Sequence, residues 1–279
     1  MLSKKPIFKK KWFEEPAEFL EMDPWVVRDL QKSRAAQAIW NGRFATFRDT
    51  KNNPQQLEDM QLWLDQWRRN YGMVVAGDRI AHHRKRRSFG MLRRFLQRKC
   101  QPTATFIDYG CGTYYFTRIL SEFFPDAQYI LVDVDAPSLE YAYRRCRLFA
   151  NRVKKIVIHE ERLAPDLPPA DFILCHSVSE HLWYPERTIL SMYKSIKDGG
   201  FIAMTLAGQT KAHAQKNDTQ ISFDMRDSLI VFMYHHFTLI RGWDYRFRNG
   251  QFCGDGQLKI WQKKKCRSPY SLEASAANR

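Results

Sequence analysis

Two carboxylates and two glycines stand at a spacing that could hold a nucleoside. Asp108-Tyr-Gly110-Cys111-Gly112-Thr follows the apolar pair Phe106-Ile107, and a second apolar run, Ile130–Val132, ends at Asp133, 25 residues after Asp108. Between them Phe116, Ile119, Leu120, Phe123 and Phe124 recur at helical spacing. The pattern is strand, glycine turn, helix, strand, acid. Gly110 opens backbone angles closed to other residues, and Gly112 lets the main chain approach a ligand closely. The following helix directs free N–H groups and its positive dipole end at an anionic group. A carboxylate at the tip of the second strand, Asp133 with Val134 beside it, can accept both hydroxyl protons of a ribose.

A second group lies in Asp171-Phe-Ile-Leu-Cys-His-Ser-Val-Ser-Glu-His-Leu182. Cys175, His176 and Ser177 fall at a strand tip, on the edge of the sheet that the glycine turn occupies. His181 follows a few residues later, and an imidazole can remove a proton near neutral pH. The plainer role for Glu180-His181 is to cap or pin the next helix. The adjacent pairs His82-His83 and His235-His236 read as surface or packing residues.

Regular alternation from residue 101 onward supplies the elements that position these groups. Strand one leads to a helix at 113–124, and strand two to a helix at 137–150. Ile156–Ile158 gives a third strand and Phe172–Cys175 a fourth. A helix runs from about Glu186 to Lys197, where Gly199-Gly200 stops it, and Phe201–Leu206 is strand five. Gln209–Thr219 reads as a polar loop over the site, followed by a helix near 224–235. The run Phe237–Tyr245, a glycine-rich turn at 250–256 and Leu258–Trp261 close the sheet. Upstream, Asp23-Pro24 and Asn53-Pro54 are helix starts, and Asp78 can cap a third helix running toward Lys99. Residues 1–22 form a lysine-rich arm that lies on the body or orders on binding.

Charge divides the chain the same way. Residues 1–100 hold 22 Lys/Arg against 11 Asp/Glu, a net of +11, whereas 101–262 hold 18 against 18. Lys263–Lys265, Arg267 and Arg279 against Glu273 make the tail basic again. This predicts a basic, mostly helical extension or cap over 1–100, a neutral α/β domain over 101–262 and a basic, flexible tail over 263–279. The asymmetry points to a polyanionic partner, with Arg84, Lys85, Arg86 and Arg87 as its phosphate contacts. A charged, solvated helix face is the alternative for that cluster. Six scattered cysteines with no Cys-x-x-Cys pair speak against a zinc knuckle or disulfide framework and suit a reducing compartment. No apolar run reaches the roughly 18 residues of a membrane span. Lys4, Lys5 and Lys9–Lys11 have no apolar segment behind them, and Glu14, Glu15, Glu18 and Glu21 do not suit a presequence. The expected compartment is cytoplasmic, with the basic clusters leaving the nucleus open.

The stretch Asp108–Thr113 resembles motif I of the class I S-adenosylmethionine-dependent methyltransferases. Tyr115 stands where a nicotinamide-binding fingerprint wants glycine or alanine. Ser177–Leu182 resembles the Glu-His-Leu segment after strand four in a large group of these enzymes, and Lys197-Asp-Gly-Gly resembles their Lys-Pro-Gly-Gly turn. Tyr114 departs from the family, many of whose members have a third glycine there. Over about 101–262 the resemblance implies a seven-stranded, mostly parallel sheet with helices on both faces and a reversed last pair of strands. It implies S-adenosylmethionine as cofactor and S-adenosylhomocysteine as product. The cofactor site would comprise Asp108, Gly110, Cys111, Gly112, Asp133, Val134, His176 and Ser177, with Glu161 where the family meets adenine, and His181 is the candidate base. No metal is expected, because Ser177 replaces the first glutamate of the related metal-binding segment and the place of His213 is not fixed. The missing Asn/Asp-Pro-Pro-Tyr/Phe segment disfavours methylation of an exocyclic base amine. Cys111 and Cys175 lack the neighbours of a pyrimidine-attacking cysteine. Three readings stay open: an enzyme acting on RNA or a ribonucleoprotein through the basic cap, a small-molecule O- or N-methyltransferase with a helical lid, and a non-catalytic interaction or assembly protein that retains the fold.

Overall fold

The computed structural model describes residues 86–113, 115–148, 150–159, 164–182, 184–206, 225–242, 246–248, 251–253 and 258–265. Helix α1 (Arg86–Lys99) precedes strand β1 (Thr105–Tyr109), α2 (Tyr115–Phe123), β2 (Gln128–Val134), α3 (Pro137–Arg147) and β3 (Arg152–Ile158). Strand β4 (Ala170–Cys175), a 3-10 turn (Ser179–His181), α4 (Pro185–Ser195) and β5 (Ile196–Met204) follow. The last part holds α5 (Arg226–His236), β6 (Phe237–Arg241), β7 (Arg246–Arg248), β8 (Gln251–Cys253) and β9 (Lys259–Lys263). The expected sheet forms, with seven strands in the order β3-β2-β1-β4-β5-β9-β6. The first five run parallel, and β9 is antiparallel to both β5 and β6.

The alternation of side chains along the strands explains why both faces are covered. Ile107, Tyr109, Ile130, Val132, Ile173, Ile202 and Met204 pack against α4 and α5 through Ile189, Met192, Leu229 and Met233. The intervening Phe106, Tyr129, Leu131, Phe172, Leu174 and Phe201 pack against α1, α2 and α3. Strand order reverses between β1 and β4, so a crevice lies at their carboxyl ends. Among the described residues, no helix is long and apolar enough to cross a membrane.

Helix α1, assigned from sequence to the basic extension, seats Phe89, Leu92, Phe95 and Leu96 in the sheet's own core. Burying such side chains stabilises by about 1.5–3 kcal/mol each, far more than surface charge pairs contribute. Phe95 meets Phe201 edge-on at 5.1 Å, while Phe89 lies 4.9 Å from Phe116 and 5.6 Å from the His176 ring. The helix therefore runs against the strand direction, with its first turn at the carboxyl edge.

Several boundaries differ from the sequence expectation. The helix expected to reach Lys197 ends at Ser195, and Gly199-Gly200 lies inside β5 rather than before it. The register shifts there: Ala170 pairs with Ile196 but Phe172 with Phe201, and a Cβ on Gly200 would come within 3.0 Å of the Lys197 and Asp171 carbonyls. Strand β3 begins at Arg152 rather than Ile156, its basic residues lying on an edge strand partly open to water. The turn expected over 250–256 contains β8, which pairs with β7 as a separate two-stranded sheet. Lys263 and Lys264, placed in a flexible tail, are held. Lys263 Nζ donates to the Ile196 carbonyl at 2.6 Å, and Lys264 Nζ caps the end of α5 at the Tyr234 and His235 carbonyls. The expected arm at 1–22, the helix starts upstream of Arg86 and the loop 209–219 lie outside the described residues.

Candidate functional site

The glycine turn leaves β1 while still stitched to β2. Gly110 N–H and Cys111 N–H both donate to the Val132 carbonyl, at 2.7 and 3.2 Å. Gly110 has φ +66°, and a Cβ there would lie 2.3 Å from Val178 Cγ2. Both backbone angle and space exclude a side chain. Gly112 has φ +52°, yet a Cβ there meets no atom of the described residues within 4 Å. Gly110 is closed over by Val178, whereas no described residue closes over Gly112.

Asp133 joins the turn to the second strand. Its Oδ2 accepts the Gly112 N–H at 2.7 Å and its Oδ1 accepts the N–H of Val134 at 2.8 Å. These two bonds take two of the carboxylate's four acceptor positions and fix its orientation. Burial pushes its pKa up to about 6, opposed by the two backbone N–H groups and the Cys111 thiol. Asp108 is buried, and its carboxylate accepts the hydroxyl proton of Thr117, tying the end of β1 to α2. Cys111 is also buried, and loss of solvation holds its thiol well above the usual range, so its place is in the turn rather than as a nucleophile.

The segment after β4 forms the opposite wall. Ser177 has φ +56°, the only positive value at a non-glycine among the described residues. Its Oγ lies 2.8 Å from His176 Nδ1, and its N–H donates to Thr205 Oγ1 at 2.7 Å. Strained backbone of this kind persists where surrounding contacts over-determine it. The 3-10 turn then closes with His181 N–H on the Val178 carbonyl at 2.8 Å, leaving His181 half-buried. Thus the structure brings Gly110, Gly112, Asp133 and the segment carrying His176, Ser177 and His181 to one edge of the sheet. Arg86 and Arg87 open α1 at that edge. Glu161, Arg84 and Lys85 lie outside the described residues, as do the side chains of Glu180, Arg86 and Arg87.

Sequence reading missed Val178, Thr117, Thr205 and Phe89. Only Thr117 carried a local signal, one turn into the helix after the motif. Val178 and Thr205 act across strand connections that no short spacing reveals.

An S-adenosyl group fits this chemistry. Among the described residues nothing crowds the main chain at Gly112, and the Asp133 carboxylate is aimed by two N–H groups with acceptor capacity to spare. Among the described residues, no three His, Cys, Asp or Glu side chains gather as a metal site.

Residues 107–202 match a family model described as a methyltransferase domain. A malonyl-[acyl-carrier protein] O-methyltransferase of Anoxybacillus flavithermus is 25% identical over 136 residues, 49% of this chain and 50% of that protein. The chain thus spans about half the length of the curated relative it matches. Among solved structures, magnesium protoporphyrin IX methyltransferase from Synechocystis PCC 6803 with bound SAH aligns at TM-score 0.46 and 12% identity, over 67% of this chain and 85% of that one. An O-methyltransferase family protein from Burkholderia thailandensis aligns at TM-score 0.46 and 12% identity, over 72% and 64%.

Proposed function

We propose that this chain, whose residues 107–202 match a methyltransferase-domain model, is a class I methyltransferase that catalyses methyl transfer from S-adenosylmethionine and releases S-adenosylhomocysteine. The observation that carries this reading is the Gly112–Asp133 hydrogen bond, which orients a carboxylate with acceptor capacity remaining beside a glycine turn that no described side chain crowds at Gly112. When bound, S-adenosylmethionine supplies an electrophilic methyl group on a sulfonium. Asp133 accepts the ribose hydroxyl protons, the main chain at 110–112 allows close approach, and the first turn of α2 faces the ligand's carboxylate. Glu161 is the candidate adenine contact. His176 and Ser177 line the donor side, and His181 takes a proton from the acceptor. Alignment of acceptor and methyl group is the larger contribution such a site makes.

For the acceptor, RNA or a ribonucleoprotein is the leading reading. Its support is the net charge of +11 in residues 1–100, together with the direction of α1, whose basic first residues Arg86 and Arg87 stand at the site's edge. A small or carrier-bound acceptor is the second reading, supported by the relative named for acyl-carrier-protein O-methylation. The experiment is incubation of the protein with methyl-labelled S-adenosylmethionine and a cell extract, followed by separation of RNA, protein and small molecules. Label in RNA supports the first acceptor, and label in a small molecule or carrier protein supports the second. If no fraction takes label although the cofactor binds, a non-catalytic interaction role becomes the leading reading.

A further inference from the structure

Resting on the cofactor site proposed above, one residue outside every motif holds the site's far wall. Thr205 is the first residue beyond β5, and it is 5% exposed. It makes three hydrogen bonds to alternate residues from the last of β4 onward. Its N–H donates to the Cys175 carbonyl at 3.2 Å, extending the ladder past the strand ends. Its hydroxyl oxygen accepts the Ser177 N–H at 2.7 Å, and its carbonyl accepts the hydroxyl proton of buried Ser179 at 2.6 Å. Residues 175, 177 and 179 are thereby fixed to one point. Between the last two sits Val178, whose methyl groups would meet a Cβ on Gly110 at 2.3 and 2.8 Å.

We infer that Thr205 is a positioning residue: it holds the segment after β4 in its left-handed kink at Ser177, so that Val178 closes over the glycine turn and the segment carrying His176 and His181 stands at the cofactor edge. The kink at φ +56° is unfavourable for serine, and the Ser177 N–H bond to Thr205 is the contact that offsets it. Thr205 touches no reacting atom. Its effect passes through Ser177 and Val178 to the Gly110 turn and from there to Asp133.

The test uses the full chain in five forms: wild type, T205V, T205S, V178A and T205V/V178A. Two readouts are taken, amide hydrogen exchange at Ser177 and calorimetric affinity for S-adenosylhomocysteine. In T205V the Ser177 amide should exchange at least about tenfold faster, and affinity should fall about 3- to 10-fold, the worth of one hydrogen bond. T205S keeps the hydroxyl and should restore both to within about twofold. Because Thr205 acts through Val178, T205V/V178A should bind no more weakly than V178A alone. An unchanged Ser177 amide in T205V, or penalties from T205V and V178A that multiply, overturns the inference. If the wild type binds no S-adenosylhomocysteine, the proposed function falls, and the exchange data alone decide whether Thr205 holds the segment. Should T205V fail to fold, T205A gives the same comparison.

Discussion

Substituting Gly110 by alanine separates two costs that the structure assigns to one position. The first is conformational: φ +66° lies in the left-handed region, where a Cβ costs about 1–2 kcal/mol. The second is steric: the new methyl would lie 2.3 and 2.8 Å from the Val178 methyl groups, overlap of a kind that costs about 1–3 kcal/mol even after relaxation. G110A should therefore lose about 2–5 kcal/mol of stability, read by urea denaturation with far-ultraviolet circular dichroism. Removing the obstructing methyl groups isolates the second cost. In a V178A background the two closest contacts are gone and Cβ stays at 3.1 Å, so G110A should cost about 1–2 kcal/mol there. Gly112 is the control. Its φ is +52° but a Cβ meets none of the described residues within 4 Å, so G112A should cost about 1–2 kcal/mol in either background. Its larger effect should fall on S-adenosylhomocysteine affinity, because the added methyl enters the open side of the turn. A G110A penalty below about 0.5 kcal/mol, or one equal in the two backgrounds, would refute the packing of Val178 over the turn.

Other outcomes follow from the same geometry. D133A should weaken S-adenosylhomocysteine binding by about 1–3 kcal/mol in calorimetry, since hydrogen bonds to a charged acceptor are lost; unchanged affinity would remove Asp133 from the site. Ribose hydroxyls donate to the ionised carboxylate, so binding should release a proton near pH 6, and affinity should be level above about pH 7 and decline below pH 6. For stability the sign is opposite. A carboxyl raised to about 6 contributes most below its unfolded value near 4 and loses that contribution as pH rises through 6, a dependence D133N should abolish. Neutralising Arg84, Arg86 and Arg87 together should reduce RNA affinity and flatten its salt dependence while leaving S-adenosylhomocysteine affinity intact; equal loss of both in binding assays would make the cluster structural.

The strand–turn–helix–strand succession and the glycine turn were legible because their signals are local. Asp108, Gly110 and Gly112 are separated by single residues, and Asp133 ends an apolar run short enough to be only a buried strand. The reversed last pair was legible from two apolar runs around a turn. What escaped depends on tertiary context. The first residues of β3, Arg152 to Lys155, look like a loop by composition, yet they pair with β2 from Gln128 to Leu131 because an edge strand can keep charges in water. The turn-like Gly199-Gly200 proved to be an irregularity within β5, where backbone carbonyls pack too closely for a side chain. Lys264 reads as part of a basic tail, and only the end of α5 reveals it as a helix cap. Ser177 and Thr205 are 28 residues apart, and their bond exists because β4 and β5 end side by side.

The most direct measurement is a nuclear magnetic resonance titration of the full chain with S-adenosylhomocysteine, following backbone amides. Saturable binding with the largest shifts at Gly110, Gly112, Asp133, Val134 and Ser177 is the predicted result. No binding at millimolar ligand, or shifts centred on the β7–β8 pair instead, would contradict a cofactor site at the glycine turn.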